Sequence, residues 1–185
     1  LLTRSDQTDG ARMLTDDSGI PHVYLMDLSD DGAYCVGLSQ RDAGRCVADH
    51  LLATGRRRIA FVAAQLDART RQREAGYRGA LTAAGIYDPD LSLLTPDRSS
   101  IGLGAQLLRQ LFARRPDVDA IFFNNDDLAQ GALLEALRLG IDVPDQVAIV
   151  GFNDLEGSAH LLPRLTTVRT PRAEIGRRSP PDPAR

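Results

Sequence analysis

Two rhythms of apolar and polar positions take turns along this chain. Short apolar runs bounded by Gly, Pro, Asp or Ser predict strands over His22 to Met26, Tyr34 to Leu38 and Ile59 to Ala63. The same signal recurs at Leu91 to Thr95, Ala120 to Phe123 and Val147 to Phe152. Helical spacing fills the gaps. Ser39 offers a cap, after which Ala43, Cys46, Val47, His50 and Leu51 form one helical face ending at Gly55. Thr70 to Ala84 predicts a helix closed by Gly85. Leu103, Leu107, Leu108, Leu111 and Phe112 predict a second, and Asp126 to Leu139 a third stopped by Gly140. Leu1, Leu2 and Thr3 look like the tail of a strand, and Ala173 to Gly176 like the start of a helix ahead of a Pro-rich run from Ser179 to Arg185.

Strict alternation of strand and helix implies parallel strands with helices packed on the sheet faces, an α/β architecture. Right-handed crossovers then gather the loops at the carboxyl ends of the strands, where open α/β sheets bind ligands. Polar residues just after strands are therefore the candidates for chemistry.

Composition narrows the function classes. The chain has 185 residues, 43% of them hydrophobic, enough for a sizeable core. Its net charge is −3 from 22 basic and 25 acidic side chains, all the basic ones Arg. That balance gives no general attraction for nucleic acid or an anionic membrane, so this chain by itself is not expected to bind DNA. No apolar run approaches the roughly 20 residues that span a bilayer. Cys35 and Cys46 lack metal-site spacing and are expected to be reduced, buried thiols.

Four polar residues, Asn124, Asn125, Asp126 and Asp127, follow the strand Ile121 to Phe123 and open a helix. Capping needs only one of them: Asn125 or Asp126 can accept the free amide hydrogens of the first turn, and Asp126 is the favoured cap. The surplus points Asn125 and Asp127 at a polar ligand. Asn153, after the next strand, is either a plain turn residue or a second wall of the same site. Arg73, in a run that otherwise reads as a solvated face, stands three residues before Gly76, which would let its helix pack closely. Its guanidinium is a rigid fork of donors suited to a diol or a carboxylate. Asp27, in Met26, Asp27, Leu28, Ser29 and Asp30, is either a turn acid or an acceptor of two hydroxyl hydrogens. No catalytic residues, metal site or cofactor are expected. Asp126 and Asp127 are adjacent on one helix end and cannot flank a scissile bond. His22, His50 and His160 lack zinc spacing. No nucleophile elbow or phosphate loop occurs, and Gly102 and Gly104 fall inside a helix.

These residues, taken in order, carry a family resemblance. Asp27, then Arg73 to Tyr77, then Asn125 to Ala132, then Val150 to Asp154, then Leu165 to Arg169 resemble the LacI/GalR family of bacterial transcriptional regulators. The runs Met26 to Asp30, Phe122 to Asp127, Gly151 to Glu156 and Thr166 to Arg172 are most similar to the gluconate-operon repressors within it.

The resemblance implies a periplasmic-binding-protein-like fold with two lobes of parallel sheet and an effector held in the cleft. On it, residues 1–38 are a remnant of an incomplete amino-terminal lobe and 39–165 the carboxyl-terminal lobe. Residues 166–178 cross back, and 179–185 are a Pro-rich tail. Asp27, Arg73, Asn125, Asp127 and Asn153 fall on family effector contacts. Asn153 stands where many sugar-binding members carry Asp, which is compatible with an acidic effector such as gluconate. The implied partners are a small-molecule effector, a second copy in a two-fold dimer through the helix after Asp127 and the segment near Leu161 to Pro163, and operator DNA through a helix-turn-helix domain outside this sequence. The implied location is the cytoplasm. An exported sugar-binding protein of the same fold is the alternative, and the upstream sequence separates the two.

Overall fold

The computed structural model describes residues 2–4, 9–28 and 34–178. Leu1, the Ser29 and Asp30 end of the Met26 loop, and the Pro-rich tail lie outside them. Contacts divide the chain into two compact units, one running from Arg41 to Thr170 and the other formed by the chain on either side of it. In the flanking unit, β1 (Leu2–Arg4), β2 (Val23–Leu25) and β3 (Cys35–Val36) make a parallel sheet in the order β1-β2-β3. With it go α1 (Asp9–Asp17) and, from the far end of the chain, α6 (Arg172–Arg178). Tyr24 is buried, and its hydroxyl donates to Asp16 at 2.7 Å. Both strands expected here are shorter than their apolar runs.

The larger unit begins within α2 (Gln40–Ala53) and continues through β4 (Ile59–Ala63), α3 (Ala68–Ala83) and β5 (Ser92–Leu94). It runs on through α4 (Ile101–Arg114), β6 (Ala120–Phe123), α5 (Asp126–Leu139), β7 (Ala148–Asn153) and β8 (Thr166–Arg169). Its sheet has the order β5-β4-β6-β7-β8, with every neighbouring pair parallel. The central strands β4 and β6 are buried at every position, which is why they read as unbroken apolar runs. Alternate residues serve opposite faces. Ala60, Val62, Ile121, Phe123 and Ile149 join Leu107, Leu108, Leu111, Leu128 and Leu133 of α4 and α5 in one core. Phe61 turns the other way, stacked on Tyr77 of α3 at 5.3 Å and edge-on to Phe122.

Each helix pair crosses where glycine removes the side chain. A Cβ on Gly76 would overlap the Arg41 carbonyl, and one on Gly44 the Arg73 carbonyl, so α2 and α3 touch backbone to backbone. Gly104 and Gly131 do the same for α4 and α5. This contact corrects the expected face of α2. The buried line is Gln40, Gly44, Val47, Ala48 and Leu51, while His50 is exposed. Cys46, expected buried, is exposed and Cys35 is half-buried, because Gly44 rather than Ala43 leads the packed face.

Candidate functional site

Three loops leave the carboxyl ends of β4, β6 and β7, and the sheet order sets these strands side by side. The first leads into α3, where Asp67 caps the helix by accepting the Thr70 N–H at 2.8 Å. Arg73 follows one turn later and is 8% exposed, so its charge is almost wholly withdrawn from water. Its Nη1 donates to the Asn124 carbonyl at 2.6 Å, and its guanidinium lies 3.6 Å from the centre of the Phe152 ring. Cation–ring contact of this desolvated kind contributes about 2 kcal/mol. Arg73 is thus bound to the residue before Asn125 and stacked on the residue before Asn153. Tyr77, on the same helix, donates its hydroxyl to the Ile59 carbonyl at 2.6 Å, and burial pushes its phenol far above the ordinary range.

The second loop holds the four polar residues that open α5, and the structure gives three of them structural work. Asn124 is buried. Its carboxamide accepts the Ala64 N–H at 3.2 Å and donates to the Ala64 carbonyl at 2.9 Å and the Thr70 hydroxyl at 3.0 Å. It extends the pairing of β4 with β6 past the end of the sheet. Asn125, not Asp126, is the helix cap: its Oδ1 accepts the Leu128 N–H at 3.1 Å and its Nδ2 donates to Ser99 at 2.6 Å. Asp126 fails as the cap because its side chain turns inward, fully buried, toward the segment after β7. Asp127 is half-buried, and its side chain makes no hydrogen bond or ion pair with the described residues.

The third loop begins with backbone in the left-handed region, φ 116° at Asn153 and 55° at Asp154. Asn and Asp tolerate this better than other side-chain-bearing residues, and such positions cost on the order of 1–3 kcal/mol unless the surroundings hold them. The Thr170 hydroxyl donates to Asn153 Oδ1 at 3.4 Å, a long bond. Asp27 belongs to the flanking unit. It is buried at the carboxyl side of β2, and its Oδ1 accepts the Leu28 N–H at 2.9 Å. Gly37 lies against its backbone.

Arg73, Asn125, Asp127 and Asn153 therefore share one edge of the larger sheet, offering a buried cation, a carboxylate and two carboxamides. Such a set suits a small molecule with several hydroxyls and a charge. The expectation missed Asn124 as an architectural group and gave Asp126 the wrong architectural role, a cap in place of an inward anchor. Its one available signal was the surplus of polar residues, which has more than one cause. No group of three or more His, Cys, Asp or Glu among the described residues could hold a metal ion.

Residues 48–179 match the family model described as a periplasmic binding protein-like domain. The chain is 58% identical over 180 residues to the HTH-type transcriptional regulator GntR of Pseudomonas aeruginosa, covering 97% of this chain and 52% of that protein. It superimposes on the crystal structure of transcription regulator GntR from Chromobacterium violaceum with a TM-score of 0.88 at 50% identity, covering 95% of this chain and 65% of that one. A LacI family transcriptional regulator from Silicibacter pomeroyi gives a TM-score of 0.87 at 31% identity, with 95% and 67% covered. The chain belongs to the periplasmic binding protein-like domain family, in the form carried by LacI-family transcriptional regulators. It spans about half the length of the curated relatives it matches, 52% and 53% for two of them.

Proposed function

We propose that this chain is the effector-binding and dimerisation part of a cytoplasmic DNA-binding repressor, and that gluconate or a related sugar acid is its effector. The observation that carries the reading is the buried Arg73 guanidinium at the carboxyl edge of the sheet, stacked on Phe152 and flanked by the Asn125 and Asn153 loops. A guanidinium so immobilised meets a carboxylate with little further loss of side-chain freedom. Arg69, one turn earlier on the same helix with its side chain largely buried, lies 4.0 Å from the Asp67 carboxylate, which offsets its charge and leaves Arg73 as the cation of the site. Asp127 then accepts hydroxyl hydrogens. Asn125 and Asn153 give and accept without adding negative charge that would repel an acid. Asp27, at the end of its own strand, is proposed as a fifth contact. Operator reading is assigned to other parts of the longer regulator, consistent with the near-neutral charge here.

Titration calorimetry with gluconate, glucose and hypoxanthine tests the class of effector. Gluconate is expected to bind with glucose weaker. Tight hypoxanthine binding with no heat from gluconate or glucose overturns the reading.

A further inference from the structure

The Asp126 carboxylate gathers donors from separate pieces of chain. Its Oδ2 accepts the Leu155 N–H at 2.7 Å and the Ser158 hydroxyl at 2.8 Å, and its Oδ1 accepts the Thr167 hydroxyl at 2.6 Å. Thr167 Oγ1 in turn accepts the Asp154 N–H at 3.3 Å. The two amides that follow Asn153 are thus tied to one carboxylate, Leu155 directly and Asp154 through a hydroxyl. These ties hold the stretch whose backbone is left-handed at Asn153 and Asp154. Without holding, that conformation relaxes toward the common regions.

A second observation points the same way. Gly151 sits inside β7, where glycine weakens a strand. A Cβ there would overlap Asp126 Oδ1 and press on Ala129 and Leu165. The strand gives up a side chain so that the carboxylate can reach the turn beyond it.

We infer that Asp126 is a positioning residue for the effector site: it meets no ligand, and it sets the turn at 153–155 that aims the Asn153 carboxamide. The inference rests on the proposed role of Asn153 as an effector contact. A carboxylate is needed because it accepts at both oxygens. An amide in its place must turn an N–H toward either Leu155 N–H or Thr167, and one tie to the turn is lost or weakened.

The test has two arms on the full chain. Hydrogen exchange of the free protein compares the Asp154 and Leu155 amides with that of Leu133 in the core of α5. Asp126→Asn and Thr167→Val are each expected to speed exchange at 154 and 155 about tenfold relative to Leu133, a loss near one factor of ten in local stability. An unchanged ratio in Thr167→Val, which deletes the hydroxyl and keeps the shape, overturns the inference even if Asp126→Asn fails to fold. Calorimetry with gluconate forms the second arm, as a double-mutant cycle with Asn153→Ala. Asp126→Asn is expected to weaken binding about tenfold in the parent and less than about twofold when Asn153 is already Ala. Equal losses in both backgrounds mean a general structural role and overturn it. If the unmutated chain binds no gluconate, the functional reading falls, and the exchange arm alone decides the positioning role.

Discussion

Arg73 does two jobs with one guanidinium, and they are separable by measurement. Its bond to the Asn124 carbonyl and its stacking on Phe152 join α3 to the ends of β6 and β7. Its charge is also the group best suited to a carboxylate. Arg73→Ala is expected to lower gluconate affinity ten- to hundredfold, since a charge-assisted hydrogen bond contributes about 1.5–3 kcal/mol. Arg73→Lys keeps the charge but loses the planar fork and the stacking, so it should recover only part of that loss. Equal affinity for parent and Arg73→Ala would remove it from the site. The neighbouring polar run shows where reading by residue type stops. Asn124, Asn125, Asp126 and Asp127 announced themselves as more polar groups than a helix start needs. Which one caps, which one zips two strands and which one turns inward depends on what lies opposite. Ala64, Ser99 and Thr167 are 60, 26 and 41 residues away, and no local pattern names them.

At the scale of elements, most of the larger unit was legible because its central strands are buried on both faces and its helices carry regular apolar stripes. β4, β6 and α5 match their expected limits. For α2 the limits held but the packed face did not, since that face is set by a glycine meeting another helix's backbone, and a missing side chain leaves no hydrophobic signal. Polar contacts add a pH dependence to these crossings. Glu135 of α5 accepts from Arg138 at 2.7 Å and from Arg109 of α4 at 2.8 Å. The two guanidiniums hold its carboxyl below the usual value of 4.5, at about 2. A depressed folded-state pKa means the unfolded chain takes up the proton first. The contribution is therefore present above about pH 4.5 and lost as pH falls toward 2. In urea unfolding, the gap in midpoint between the parent and Glu135→Gln should narrow from pH 6 to pH 3. A gap that stays constant would show that Glu135 does not titrate in this way.

The whole molecule poses a different question, because α5 carries more leucine than one buried stripe can use. Leu128 and Leu133 face the core, while Leu134, Leu137 and Leu139 are 47%, 48% and 48% exposed and Leu162 is 82% exposed. These exposures decide against the plainer account, in which the extra leucines pack beneath loops of their own unit. Leu134 and Leu137, three residues apart on one helix and both left in water, form the kind of apolar stripe that marks an interface. A two-fold pairing through α5 would bury the same stripe on both partners and fits the dimerisation role proposed for this chain. The α5 leucines are already about half-buried, so withdrawing the rest contributes roughly half of the 1.5–3 kcal/mol of full burial each, and a stable dimer draws on a wider contact around them. Sedimentation velocity at increasing concentration is expected to show a dimer. The double variant Leu134→Glu, Leu137→Glu should sediment as a monomer with an unchanged circular dichroism spectrum, since neither side chain supports the core. A parent chain that stays monomeric up to about 100 μM, where a micromolar dimer would be nearly complete, would dismiss α5 as the interface.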